Sequence, residues 1–386
     1  MVVTLGWGSF HDVLFAAALR SCGIAAEAAP CPTDEALAIG RSLIPRGHPC
    51  SIHYLAGAAV LCARAARDPG SLRFVVPGDR CGAYAADLQR ALGAVNAHGA
   101  SVFAVAPERA LDTLWRHLGA EPGELEGPLL EALSAGDVLL ATRTAIGTGR
   151  RAAVVDACLA VATRDAVAEL EARGDVLRVW ETHRTAIGAL AASVAPTVRV
   201  RVTGELLPSL TDGDVSADLV RWMESLGARV ERPSMREWAL YHAWRAGVGE
   251  GDFAALRRAL GAARARHAGA LGLTLPRAID PTEWAEAARA WLPVSLSAGS
   301  GFIELATYMA VERDASADLV VSLKPFASLL SSSVSDAVLY ALARDGSTAF
   351  LALELNGDAR AQMQSRVELA LDTAPRHHPR STEFDG

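Results

Sequence analysis

Between Leu319 and Ala343 the chain reads as a buried strand (Leu319 to Leu323), a Lys324-Pro325-Phe326 turn, a small polar loop and a helix opening at Val334-Ser335-Asp336. A loop leaving the carboxyl end of a parallel strand is where open α/β sheets assemble their sites. This one carries Ser328, Ser331, Ser332 and Ser333. Their hydroxyls can hydrogen-bond a ligand, and the helix start behind them can hold an anion. The same Ser-Ser-Ser-x-Ser-Asp string is also an ordinary N-cap cluster. Two cysteines stand in loops, Cys50 after Pro49 and Cys81 before Gly82. A loop thiol becomes a nucleophile or a soft metal ligand once it is deprotonated. His48 and His53 flank Cys50 and are candidate nitrogen donors or ordinary packing residues, and Glu205 and Glu237 are candidate cleft carboxylates. Cys22, Cys62 and Cys158 fall inside alanine-rich helical patterns, where cysteine acts as a small core residue.

Several chemistries are excluded by pattern. No CxxC pair occurs, which removes zinc-ribbon and thioredoxin readings. No GxxxxGK[ST] phosphate loop occurs either. The 386 residues carry a formal charge of −7, which argues against a general nucleic-acid surface. Arg257-Arg258 and Arg264-Ala265-Arg266-His267 sit at helical spacing between alanines and read as a solvated helix face. About half the residues are apolar (51%), yet no apolar run approaches a membrane span. No basic region precedes the first apolar stretch, so a signal peptide is not expected and the expected compartment is the cytoplasm.

The elements that must position these residues alternate. Short apolar runs at Val2 to Leu5, Ala25 to Ala29, Leu72 to Val76 and Ala100 to Val105 are separated by helical stretches. That spacing predicts βαβ units on a parallel sheet. Residues 108–192 read as helical throughout. Thr197 to Val202 alternates like a strand with one polar edge, and strands follow near Ala228, Leu319 and Thr348. The expectation is an α/β fold of two Rossmann-like parallel-sheet halves facing a cleft. It divides as 1–107 for the first half, 108–196 for a helical bridge, 197–373 for the second half and 374–386 for a polar tail.

Five segments, taken in order, resemble the 2-hydroxyacyl-CoA dehydratase and activase-related proteins. Gly40-Arg41 with Gly47-His48-Pro49-Cys50 resembles a Gly-Arg…Gly-Lys-Glu-Cys loop. Phe74 to Gly78, leading to Cys81-Gly82-Ala83-Tyr84, is similar to a strand followed by Gly-Pro-Cys-Arg-Phe-Gly-Gln-Tyr. Val202-Thr203-Gly204-Glu205 with Glu237-Trp238 resembles the family's Val-Gly-Glu strand and Glu-Trp turn. Lys324-Pro325-Phe326 resembles the start of Lys-Pro-Phe-Gly-Cys-Met-Pro-Ser, and Gly357-Asp358 with Ser365-Arg366 resembles the closing strand and helix.

The resemblance implies two facing halves whose cysteine loops hold a [4Fe-4S] cluster, with Cys50 and Cys81 as metal ligands. It implies reductive dehydration of a small acyl substrate, a related partner subunit and an ATP-dependent activator. The chain departs from the pattern where the third cysteine belongs. Ser328 (or Ala327) stands there, and Gly299-Ser300-Gly301 replaces a Gly-Glu-Gly. Two readings follow. One is a dehydratase-type iron–sulfur protein in which Cys50, Cys81 and a substitute ligand hold the cluster while Ser328 and Ser331 contact the bound group. The other is a cluster-free descendant that keeps the cleft, as a non-redox enzyme or as the partner subunit of a cluster-bearing relative.

Overall fold

The computed structural model describes residues 1–78, 83–105, 117–119, 123–146, 152–191, 198–210, 218–275, 278–293, 299–326 and 334–374. Its short apolar runs pair in parallel, with helices in the connections between them. β1 (Val2–Thr4), β2 (Ala26–Ala28), β3 (Arg73–Pro77) and β4 (Ser101–Val105) form one sheet in the order β2-β1-β3-β4. β5 (Arg199–Gly204), β6 (Arg229–Glu231), β7 (Leu319–Pro325) and β8 (Ala349–Leu355) form a second sheet in the order β6-β5-β7-β8. The two orders are the same, and every pairing is parallel. Strand order reverses between β1 and β3 and again between β5 and β7. The crevice outside the carboxyl ends at such a reversal is the usual ligand site of an open α/β sheet.

Helices α1 (Ser9–Ser21), α2 (Asp34–Leu43), α3 (Cys50–Ala65) and α4 (Ala83–Ala94) belong to the first half. The Thr33 hydroxyl starts α2 by accepting the Ala36 N–H, a standard N-cap. α2 and α3 cross in close contact because Gly40 and Gly57 have no Cβ. A methyl at either would overlap a backbone carbonyl of the facing helix, His53 or Ala36.

The bridge is α5 (Glu126–Ile146), α6 (Ala152–Glu171) and α7 (Val176–Ala191). Its apolar faces join Leu14 and Ala18 of α1 in one core with Leu139, Leu159 and Trp180, so it is a packed layer. The second half adds α8 (Leu206–Leu210), α9 (Leu219–Ser225), α10 (Met235–Arg245) and α11 (Glu250–Leu271). α12 (Pro281–Arg289), α13 (Gly301–Asp314), α14 (Asp336–Asp345) and α15 (Arg360–Thr373) follow. A full capping box, Ser234 with Glu237, opens α10.

One expectation is corrected here. The alternation over Thr197 to Val202 predicts a strand with one polar edge, but β5 lies inside the sheet between β6 and β7. Arg201 is only 3% exposed and is held by Glu231 at 2.5 Å and Glu237 at 2.6 Å. Its charge is neutralised by buried carboxylates instead of water. The arginine run on α11 divides as well. Arg257, Arg258 and Arg266 are exposed, whereas His267 is fully buried against Trp180.

Candidate functional site

The carboxyl edges of the two sheets meet. Gly6 and Gly8, in the loop after β1, lie against Leu207 and Leu210 of α8. Trp7 meets Trp238 edge-on, with ring centroids 5.9 Å apart. Arg41 reaches from α2 to both carboxylate oxygens of Asp358, at 2.6 and 2.8 Å, and donates to the Asn356 carbonyl at 2.6 Å. The Cys50 thiol donates to the Leu355 carbonyl at 2.9 Å. Segments hundreds of residues apart, 40–50 and 355–358, therefore form one junction between the halves.

Cys50 opens α3 but is 4% exposed and packs in the apolar core of the second sheet with Val202, Leu353 and Leu355. Burial pushes its thiol up to about 12, against the opposing pull of the Arg41 guanidinium. Without a metal it is therefore a neutral S–H at physiological pH, and a metal would have to displace that proton to bind. The two flanking histidines are also engaged. His48 Nδ1 pairs with Asp87 at 2.6 Å, and His53 Nε2 lies 3.2 Å from the Pro45 carbonyl. Cys81, Ser328 and Ser331, with Ala327, Ser332 and Ser333, lie outside the described residues. Among the described residues no group of three His, Cys, Asp or Glu side chains is placed to hold a metal ion.

Glu237 is not a cleft carboxylate. It is buried, caps its own helix, pairs with Arg201 and accepts the Ile279 N–H at 2.7 Å. Glu205 does lie at the carboxyl edge, where its N–H donates to Leu323 at 3.0 Å. The preceding Gly204 has φ +116°, and a Cβ there would overlap the Leu323 carbonyl. The glycine of this Gly-Glu pair is therefore a requirement of strand packing.

The strongest cluster of charge at the edge is one that motif reading missed. Side chains alternate along β7. Leu319, Val321 and Leu323 face the core shared with Cys50, while Ser322 and Lys324 point to the other face, where Glu304 of α13 lies. Lys324 has no exposed side-chain surface. Its Nζ donates to Glu304 Oε2 at 3.0 Å and to Asp336 Oδ1, at the start of α14. Glu304 also accepts from Ser300 at 2.6 Å, Ser322 at 3.0 Å and Ser335 at 3.3 Å.

Burial opposes the charge on Lys324, but the two carboxylates outweigh it and raise its pKa. For Asp336 burial dominates and lifts the carboxyl to about 6, with Lys324 pulling the other way. A carboxyl that titrates near neutrality at a strand end is suited to proton transfer. A signal was present in the sequence: Lys324 is the chain's only lysine, set among 36 arginines (37 Lys+Arg in all). Lysine brings a compact ammonium where arginine would bring a broad planar fork.

A second such carboxyl follows β1. Asp12, half-buried in the first turn of α1, accepts the Trp7 N–H at 3.1 Å. Burial lifts it to about 8 against the backbone N–H groups of Trp7, Gly6 and Gly8. No protein-family model and no curated protein matches the chain. Among the described residues, no helix is long and apolar enough to cross a membrane.

Proposed function

We propose that this protein is a cluster-free relative of the 2-hydroxyacyl-CoA dehydratase proteins. In this reading it binds a small acyl substrate at the carboxyl edge of its second sheet and works by proton transfer at Asp336. The observation that carries the reading is the placement of Cys50, whose sulfur is buried and donates to the Leu355 carbonyl. A side chain committed to the core in this way serves as a latch between the halves. Asp336 supplies an acid–base group, because a carboxyl near its midpoint at neutral pH both gives and takes protons. Lys324 acts through Asp336 as a positioning residue, since it is enclosed and beyond a substrate's reach.

Anaerobic reconstitution with iron and sulfide, followed by iron counting in wild type and Cys50→Ala, tests the first part. Neither protein is expected to hold stoichiometric iron. Iron retained by wild type and lost from Cys50→Ala would overturn the proposal. For the second part, Asp336→Asn should still bind 2-hydroxyacyl-CoA thioesters and lose their turnover; unchanged turnover removes Asp336 from its role.

One observation favours the cluster-bearing reading with Cys50, Cys81 and a [4Fe-4S] group. Cys50 stands at the meeting of the two carboxyl edges, within reach of loops from both halves. The ATP-dependent activator belongs to that reading, a related subunit fits either, and the same iron count decides between the two.

A further inference from the structure

The opposite end of β5 borders a different feature. A cavity of about 350 Å³ lies on one face of the second sheet, between the end of α13 and the segment leading into α12. Its floor is formed by the starts of β5 and β6, and Leu275, Ile279 and Val311 give it apolar walls. This volume is at the lower end of the range for small-molecule sites. Along β5 the cavity begins at Arg199 and the carboxyl edge at Gly204. Five residue steps separate them, about 16 Å at the usual rise per residue.

The floor brings three arginines together, Arg199, Arg201 and Arg229. Arg199 stands directly opposite Arg229 in the ladder, and Arg201 opposite Glu231. Like charges facing each other across strands are destabilising unless something lies between or beside them. Asp318 neutralises Arg199, with one bond at 2.8 Å. Arg229 makes no ion pair among the described residues. The terminal nitrogens of Arg201 are taken by Glu231 and Glu237, yet its Nε is buried and has no hydrogen-bond partner. An orphaned donor on a side chain 3% exposed carries a desolvation cost that a bound acceptor would relieve.

Each acidic residue on the wall faces a partner other than Arg229. Arg201 occupies Glu231 at 2.5 Å. Asp280 caps α12 and faces Arg257 at 3.7 Å, and Asp314 holds Arg313 at 2.6 Å. Glu283 is exposed and has a partner of its own.

We propose that this cavity is a second binding site, for a small amphiphilic anion: one carboxylate head on Arg229 and the Arg201 Nε, and an apolar body against Leu275, Ile279 and Val311. The proposal does not depend on the chemistry of the carboxyl-edge site. Isothermal titration of the full chain with hexanoate, hexanamide and inorganic phosphate tests it. Hexanoate should bind saturably, and hexanamide about tenfold more weakly or worse, the loss expected when a charge-assisted contact is removed. Arg229→Gln lies at a half-exposed position and should fold as wild type by circular dichroism while losing hexanoate affinity by a similar factor. Arg229→Lys should retain part of the affinity. Equal binding of acid and amide, undiminished affinity in Arg229→Gln, or no binding of hexanoate overturns the site. Phosphate binding as tight as that of hexanoate overturns the amphiphile assignment.

Discussion

Lys324→Met removes the only side-chain ammonium of the chain while keeping an unbranched apolar stem in its place. Glu304, with no exposed side-chain surface, would then be held by the hydroxyls of Ser300, Ser322 and Ser335 alone. Breaking a buried ion pair costs about 3–5 kcal/mol, because the surviving partner keeps its desolvation penalty without its counter-charge. Three hydroxyl donors remain, so the lower end applies, about 3 kcal/mol at pH 8.

The loss should shrink toward pH 5, where protonation of Asp336, which burial lifts to about 6, removes part of the stranded charge. The wild-type sign differs. The folded pKa of Asp336 is raised from 3.8 to about 6, so its contribution to stability falls as pH rises through that window. Hydrogen exchange of residues 319–325 is the assay. About 3 kcal/mol corresponds to a roughly hundredfold loss of protection in β7. Lys324→Met combined with Glu304→Gln should recover most of it, since a buried pair replaced by neutral groups of similar shape is close to neutral. Lys324→Arg should not substitute, because an enclosed site pays about 1–3 kcal/mol for overpacking. Amine acylation of the native protein supplies a control. The reagent should modify the exposed Met1 amine quickly and Lys324 only through opening of β7. A loss below about 1 kcal/mol in Lys324→Met, or an equal loss at pH 5 and pH 8, would refute the reasoning.

A thiol reagent applied at pH 8 should label exposed Cys31 and spare Cys50, whose thiol burial holds near 12; rapid Cys50 labelling in mass spectra would contradict the latch. Gly204→Ala places a Cβ on the Leu323 carbonyl at φ +116°, so we expect a loss above about 2 kcal/mol, read by thermal unfolding. Trp180 donates to His267 Nδ1 at 2.5 Å, which leaves the remaining ring N–H on Nε2, 2.9 Å from Glu131. Trp180→Phe should cost about 1–3 kcal/mol by stranding that acceptor in the core, measured by denaturant titration. His267 holds the Glu131 carboxyl below its ordinary 4.5, so its stabilisation is present above that pH and lost as pH falls below it. Glu131→Gln should flatten that acid limb.

The alternation of apolar runs and helical stretches made both sheets legible, because a buried parallel strand needs a short continuous apolar run whatever surrounds it. Thr33 opens its helix for a local reason: a side-chain oxygen within reach of an N–H three residues on. The polar positions of β5 were misjudged because alternation reports that Arg201 is polar. It does not report whether water or a buried carboxylate will satisfy the charge. The ligand role of Cys50 is implied only by the resemblance. Its exposure depends on Leu355, a residue 305 positions away.

Residue types fixed the strand count, the parallel pairing that the helical connections require, and the presence of one lysine in an apolar strand. Only the tertiary structure decided that Lys324 lies between Glu304 and Asp336, that Cys50 is sealed, and that Arg199 lies beside Arg229 on the floor of a cavity. The reason is physical. Propensity and capping act over a few residues of chain, whereas the charge state and accessibility of a side chain are set by neighbours that folding brings from distant segments.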